Sequence, residues 1–263
     1  MVEKLKGWVS GFFKYLPLLR ELVIRDIKVR YRHSVLGLLW TVLNPLLMMA
    51  VMTIIFSTLF QNSIENFSLY YLSGYILFTF FNESTTQALF SVVNNSTLTK
   101  KVYIPKYLFP LSKVVSALIN LGFSFCALLI VMLLTGAPFY WTIVLSVVPA
   151  LYMAVFCCGF GMILSTLFVF FRDIGHLYGV ITLIWMYLTP LFYPEELLID
   201  NGLEILLRLN PVYQNVSYFR MLIMEGTVPE LAQNLACIIP AVFFLVFGVY
   251  IFWKRQDEFI LYV

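Results

Sequence analysis

Long apolar runs alternate with short polar connections along the chain, and this pattern predicts the architecture. Six runs stand out, at roughly 36–60, 68–93, 112–135, 140–171, 175–193 and 234–253. Each is long enough to cross about 30 Å of hydrocarbon as a helix. Ahead of them, residues 17–34 carry a different period. Leu19, Val23, Ile27 and Tyr31 recur at every fourth position, with Glu21, Arg25, Lys28 and Arg32 roughly opposite. Pro17 suits the first turn of such a helix. The pattern predicts a helix lying in a membrane surface with its charges toward the cytoplasm. The expected fold class is therefore all-α integral membrane. Residues 1–34 form an N-terminal amphipathic interfacial helix, and residues 35–263 form six transmembrane helices with a re-entrant outer hairpin.

Punctuation refines the elements. Pro45, after Asn44, frees the carbonyl of Thr41 and kinks the first span. The fourth run is longer than a bilayer needs and is expected to tilt or project into the cytoplasm. Thr189-Pro190 and Tyr193-Pro194 end the fifth. In the inner loop, 94–112, Ser96 or Thr97 can cap a short helix through Lys100, Lys101 and Tyr103. Pro105 then turns Ile104 away from helical angles. A capped basic helix there suits docking of a soluble partner. An ordinary positive loop explains the lysines equally well, but not the cap and stop. The outer loop, 194–233, reads as two amphipathic pieces, 196–209 and 212–225, broken by Asn210-Pro211 and ended by Gly226. A re-entrant pair and a surface-lying hairpin both satisfy this pattern.

Composition agrees with a membrane protein. Of the 263 residues, 61% are hydrophobic and only 12% charged, far below the quarter or so typical of soluble domains; the mean hydropathy is +0.90. The basic, amphipathic start has no short apolar core and is not expected to act as a removable signal peptide. With an inside N-terminus, only Arg208 and Arg220 of the 17 lysines and arginines fall outside. The positive-inside rule thus predicts both termini in the cytoplasm. The four cysteines, Cys126, Cys157, Cys158 and Cys237, sit in apolar runs without metal-ligand spacing and read as small packing residues.

Few side chains suggest chemistry. Glu83 is the acidic residue well inside a span, and such groups are functional candidates. Proton coupling, lining of a polar pathway and an inter-helix hydrogen bond are all open. With no second titratable group in a span to form a relay, the last two are favoured. Arg172 and Asp173, with His176 one turn on, fit a helix-capping turn better than acid–base catalysis. Aromatic residues make up 17% of the chain. Trp40, Tyr70, Tyr71 and Tyr193 fit interfacial anchors, while rings deeper in can stack on sugar C–H faces. The candidates for a channel or substrate surface are Trp40, Asn44, Tyr75, Phe78, Glu83, Trp185, Tyr187, Phe192 and Tyr193. No P-loop, nucleophile elbow or metal cluster is present in the sequence, so no catalytic residue and no metal site are expected.

Several short motifs resemble one family. Arg25-Asp26-Ile27-Lys28-Val29-Arg30-Tyr31-Arg32, Val35-Leu36-Gly37-Leu38-Leu39-Trp40 and Leu43-Asn44-Pro45-Leu46 look like the opening of polysaccharide-export ABC transporter permeases. Tyr103-Ile104-Pro105-Lys106, Phe171-Arg172-Asp173-Ile174, Thr189-Pro190-Leu191-Phe192-Tyr193-Pro194 and Asn210-Pro211-Val212-Tyr213 are similar to further marks of that family, in order. The resemblance implies a homodimer in the bacterial inner membrane with two copies of a P-loop ATPase, which binds ATP and Mg; this chain has no cofactor of its own. It implies export of a lipid-linked glycan such as O-antigen or teichoic acid. It also implies that the 97–104 segment docks into the ATPase beneath the 17–34 helix. The ATPase-coupling candidates are Arg25, Lys28, Thr97, Lys100, Lys101, Tyr103, Ile104 and Pro105. The alternatives are an ABC exporter of drugs or small lipids and a proton-coupled carrier using Glu83. A membrane-embedded transferase would need a catalytic cluster that the sequence lacks.

Overall fold

The computed structural model describes residues 14–32, 34–56, 64–100 and 104–262. Every regular element among them is helical. Helix α1 (Leu16–Tyr31) begins with proline in its first turn and ends with Lys28 and Arg30, which suit the negative end of the helix dipole. Its Leu19, Leu22 and Val23 are buried against Leu108 and Phe109. A short 3-10 turn, Gly37–Leu39, then redirects the chain into α2 (Trp40–Phe56). Gly37 holds φ near +50°, a left-handed angle that side-chain-bearing residues resist. Pro45 is the one buried residue of α2. The Thr41 carbonyl that it frees accepts a hydrogen bond from Ser124 Oγ at 3.2 Å, so the proline break is answered by a neighbouring helix.

Helix α3 (Phe67–Asn94) is the central element, capped by Asn66 and with most of its side chains buried. The turn α4 (Ser96–Thr99) follows. The expected capping differs here: Ser96 and Thr97 lie inside the turn, and Asn95 occupies the cap position without a side-chain cap bond. Its amide instead donates to the Ser91 carbonyl at 2.8 Å. Lys101 and Tyr103 lie outside the described residues. Helix α5 (Leu108–Thr135) closes on Gly136 at φ +67°. The long fourth apolar run starts as a 3-10 stretch, Trp141–Ser146, before α6 (Val147–Phe170).

Helix α7 (Ile174–Leu188) has 15 residues, about 22 Å of rise, and Thr189-Pro190 stops it earlier than the sequence pattern suggests. The first outer piece is not one helix but two, α8 (Glu196–Asp200) and α9 (Glu204–Leu209), separated at Gly202 with φ +74°. Helix α10 (Pro211–Arg220) runs into a π-helical turn, Met221–Glu225, that ends at Gly226. Helix α11 (Leu231–Arg255) and the turn α12 (Phe259–Tyr262) complete the chain.

Among the described residues four helical segments are long and apolar enough to cross a membrane: Gly37–Phe56, Leu108–Thr135, Trp141–Phe170 and Leu231–Arg255. Helix α3 is long enough but carries Asn82, Glu83, Thr85, Thr86 and Gln87 within it; Thr86 and Gln87 bond back along α3, and neighbouring helices reach Glu83 and Thr85. The closest helix pair is α6 with α11. A Cβ built on Gly248 would stand 2.1 Å from the Gly159 carbonyl oxygen, and one on Gly159 would stand 2.2 Å from the Phe244 carbonyl oxygen. Small residues allow this approach of backbones. Gly122, by contrast, faces open space. Gly248→Ala is therefore expected to destabilise the protein by about 2 kcal/mol or more, while Gly122→Ala is neutral or slightly stabilising. Thermal unfolding of both variants in detergent, followed by tryptophan fluorescence, checks the contrast.

Candidate functional site

The densest polar cluster lies where α1 meets α3 and α5. Arg30 of α1 pairs with Glu83 of α3. The same carboxylate oxygen, Glu83 Oε1, accepts Gln87 Nε2 at 3.1 Å and Asn120 Nδ2 of α5 at 3.0 Å. One turn back along α1, Asp26 takes Lys113 Nζ at 2.8 Å and Arg25 Nη2 at 3.2 Å. Arg25 Nη2 also donates to Asn95 Oδ1 at 3.1 Å. Arg25, Asp26, Arg30, Gln87, Asn95 and Lys113, with Val29 and Asn94, line an open cleft of about 520 Å³. Asp26 is 10% exposed, Lys113 17% and Glu83 22%. Such partly dehydrated pairs count for more than fully solvated ones. The pairs Arg208 with Glu204 and Arg255 with Glu258 are well solvated and contribute little.

The apolar side of α1 is as the fourfold spacing predicts, but its charges divide. Glu21, Lys28 and Arg32 are exposed, whereas Arg25, Asp26 and Arg30 engage the bundle. Thr97 and Lys100 are exposed on and after α4. Ile104 packs on the cluster beneath α1, and Pro105 accepts the first turn of α5 through its carbonyl. Lys106 donates to the Gln256 carbonyl near the end of the chain. Burial pushes its ammonium below the usual lysine range, and Asp257 partly offsets this.

A second polar knot joins the end of α7, the start of α3 and α10. Asn210 caps α10, accepting Val212 N at 3.0 Å and Tyr213 N at 3.2 Å. Its Oδ1 also takes Trp185 Nε1 at 2.8 Å, and its Nδ2 donates to Thr189 Oγ1 at 3.1 Å. The end of α7 and the start of α10 are thus one bonded unit. Arg220, 6% exposed, lies 3.5 Å from the Tyr70 ring centre. It donates to the carbonyls of Pro190 at 2.9 Å and Tyr70 at 3.0 Å. The Tyr70 hydroxyl returns to the Tyr193 carbonyl at 2.9 Å.

The other channel candidates fall into three places. Trp40, Asn44 and Tyr187 are exposed. Tyr75, Phe192 and Tyr193 belong to ring contacts at the outer end: Tyr75 stacks on Tyr71 at 5.3 Å, and Phe192 meets Phe56, Tyr193 and Tyr187 within 6 Å. Phe78 and Trp185 do not join that surface. Phe78 is buried against Phe81, and Trp185 meets Phe81 at 4.9 Å. Arg172 donates to the Tyr262 carbonyl at 3.1 Å and lies over Phe168. Asp173 precedes α7 without a side-chain cap bond. Among the described residues no group of His, Cys, Asp and Glu could hold a metal ion. Sequence reasoning passed over Asp26, Lys113 and Asn120. Asn120 carried a signal: it is the lone carboxamide in the apolar α5, and a polar group there needs a partner.

A multi-pass helical membrane protein with polar ties near the start and near the middle of a central helix is thus defined. Residues 17–224 match the family model described as ABC-2 type transporter, and the chain belongs to that family. It is 30% identical to the O-antigen export system permease protein RfbA of Myxococcus xanthus over 252 residues, 95% of this chain and 97% of that one. It is also 29% identical to a protein of the same name from Klebsiella pneumoniae, over 87% of each chain.

The node at Glu83 predicts a local effect. Glu83→Ala removes the acceptor shared by Arg30, Gln87 and Asn120. It should loosen the last turns of α1 by about 1–3 kcal/mol, seen as faster amide hydrogen exchange across 24–31. Glu204→Ala, at the solvated outer pair, should leave exchange in its own helix within about twofold. Equal protection of α1 in wild type and Glu83→Ala would contradict the assignment.

Proposed function

We propose that this chain is the transmembrane permease subunit of an ATP-driven ABC transporter that exports a lipid-linked polysaccharide, such as an O-antigen or teichoic acid, across the bacterial cytoplasmic membrane. The observation that carries the proposal is the match to the Myxococcus xanthus O-antigen export permease along nearly the full length of both chains. The chain acts as one half of a homodimer and binds two copies of a cytoplasmic P-loop ATPase. ATP and Mg sit on that partner, and hydrolysis occurs there.

In this reading α2, α3, α5, α6, α7 and α11 are six spans with both termini inside. Helix α3 crosses despite its polar stretch because its neighbours bond that stretch, and the short α7 reaches the outer surface with the residues after it. Helices α8 to α10 form a re-entrant hairpin at the outer mouth. The bare faces of α2 and α7 carry Trp40, Asn44 and Tyr187 outward, which supports placing the second copy there. The exposed Lys28, Thr97 and Lys100 support an ATPase-facing surface, with Arg25 held behind it.

Purification in mild detergent from the native host, followed by intact-mass analysis, should find two copies of this chain with two of a P-loop ATPase. Repeated isolation of the chain without any ATPase would overturn the proposal. Cysteine at Lys100 should cross-link to that ATPase and resist labelling by an impermeant thiol reagent added from outside. Outside labelling would invert the topology.

A further inference from the structure

The cleft between α1, α3 and α5 holds more positive charge than its carboxylates neutralise. Arg25, Arg30 and Lys113 face it with Asp26, and Glu83 stands behind Arg30. Three cations therefore share two carboxylates. Donors remain as well. Among the described residues Arg25 bonds through Nη2, and Lys113 meets Asp26 as a charge pair at 2.8 Å. At about 520 Å³ the space far exceeds the roughly 30 Å³ share of one water, so it admits a polyatomic anion.

Two further observations narrow the ligand. The walls come from helix ends: Asn94 and Asn95 close α3, and Lys113 lies in the second turn of α5. In the proposed membrane placement, on which this step rests, that is headgroup depth rather than hydrocarbon. One wall is also apolar and open. Val29 lines the cleft yet is 66% exposed, and the exposed Val35, Leu36, Leu38 and Leu39 follow it in the chain ahead of α2. A charged interior with an apolar lip fits an amphiphile whose anionic head enters and whose chain stays outside. The geometry points to a binding site for the phosphate-ester headgroup of a lipid. Arg25 supplies a guanidinium fork and Lys113 a point charge, both suited to phosphate. Asp26 holds those two side chains in place. The lipid is either the glycan's polyprenyl diphosphate carrier or an anionic bilayer phospholipid.

The test uses the full chain, with its ATPase where that co-purifies, in phosphatidylcholine nanodiscs, with bound lipid counted by native mass spectrometry. Undecaprenyl diphosphate should bind saturably, and undecaprenol, which lacks phosphate, should not. Arg25→Gln with Lys113→Gln should weaken binding at least about tenfold, and charge-keeping Arg25→Lys with Lys113→Arg by less than about threefold. Lys254→Gln, remote from the cleft, should bind as wild type. Val29→Trp obstructs the mouth with every ion pair in place, so it serves if the double variant misfolds; it should weaken binding about fivefold or more. Displacement by phosphatidylglycerol at equal mole fraction identifies a bilayer phospholipid as the source, and its failure to displace identifies the carrier. Equal binding of undecaprenol and undecaprenyl diphosphate would overturn the inference. So would wild-type binding by Val29→Trp or by a folded double variant. Glycan export without diphosphate binding would end this inference and spare the transport reading, whereas a missing ATPase partner would do the reverse.

Discussion

Three groups converge on Glu83 Oε1: Arg30 of α1 as an ion-pair partner, and the amides of Gln87 from α3 itself and Asn120 from α5 as hydrogen-bond donors. A carboxylate that is only 22% exposed is costly without such partners, so the placement of α1 is tied to satisfying it. The apolar contact of Leu19, Leu22 and Val23 with Leu108 and Phe109 attaches α1 to α5 but is tolerant of sliding. The charge pairs are not. Contact points advance together along the two helices, from Leu19 beside Leu108, through Asp26 on Lys113, to Arg30 meeting Asn120 at the shared oxygen. Polar groups thus fix the register that hydrophobic packing leaves loose.

The region where α7 meets α10 obeys a similar constraint, with proline breaks in place of a carboxylate. Proline interrupts the chain at Pro190 and Pro211, and each interruption leaves backbone groups that need partners. Asn210 supplies the α10 cap and binds Thr189 and Trp185 of the α7 end. Arg220 takes the Pro190 carbonyl. Gly74 makes room for this: a Cβ there would stand 2.7 Å from Arg220 Nη2. Two short motifs, separate in the sequence, are physically one object.

Much of the helical layout was legible from periodicity and punctuation. Pro45 freeing the Thr41 carbonyl, the stop at Thr189-Pro190 and the end at Gly226 all follow from local rules. What escaped has identifiable causes. Leu22, Asp26 and Arg30 form their own fourfold row, one step round α1 from Leu19, Val23 and Ile27. A reading that sorts residues into one apolar and one charged face cannot see a charged row turned inward. The break between α8 and α9 was present as Asn201-Gly202, a turn dipeptide masked by surrounding leucine and isoleucine. Burial of Phe78 against Phe81 depends on which side of α3 meets α6, and a span apolar all round does not declare that.

Helix α3 is held near its start and near its middle by these two clusters. Toward its start, Tyr70 is bonded to Tyr193 and Arg220; further along, Glu83 is bonded to α1 and α5. Thirteen residues separate the two positions, about 20 Å of continuous helix. Backbone bonds make that stretch stiff, and its side chains are mostly buried in the close-packed core. A displacement of α1 that kept its pair with Glu83 would have to carry α3 along and strain the Arg220 contacts. A displacement that broke the pair would leave a partly buried carboxylate on Gln87 and Asn120 alone. The first path works against two well-directed carbonyl bonds and the second against the loss of a charge partner. The balance between them decides whether movement of α1 reaches the Arg220 knot or stops at Glu83.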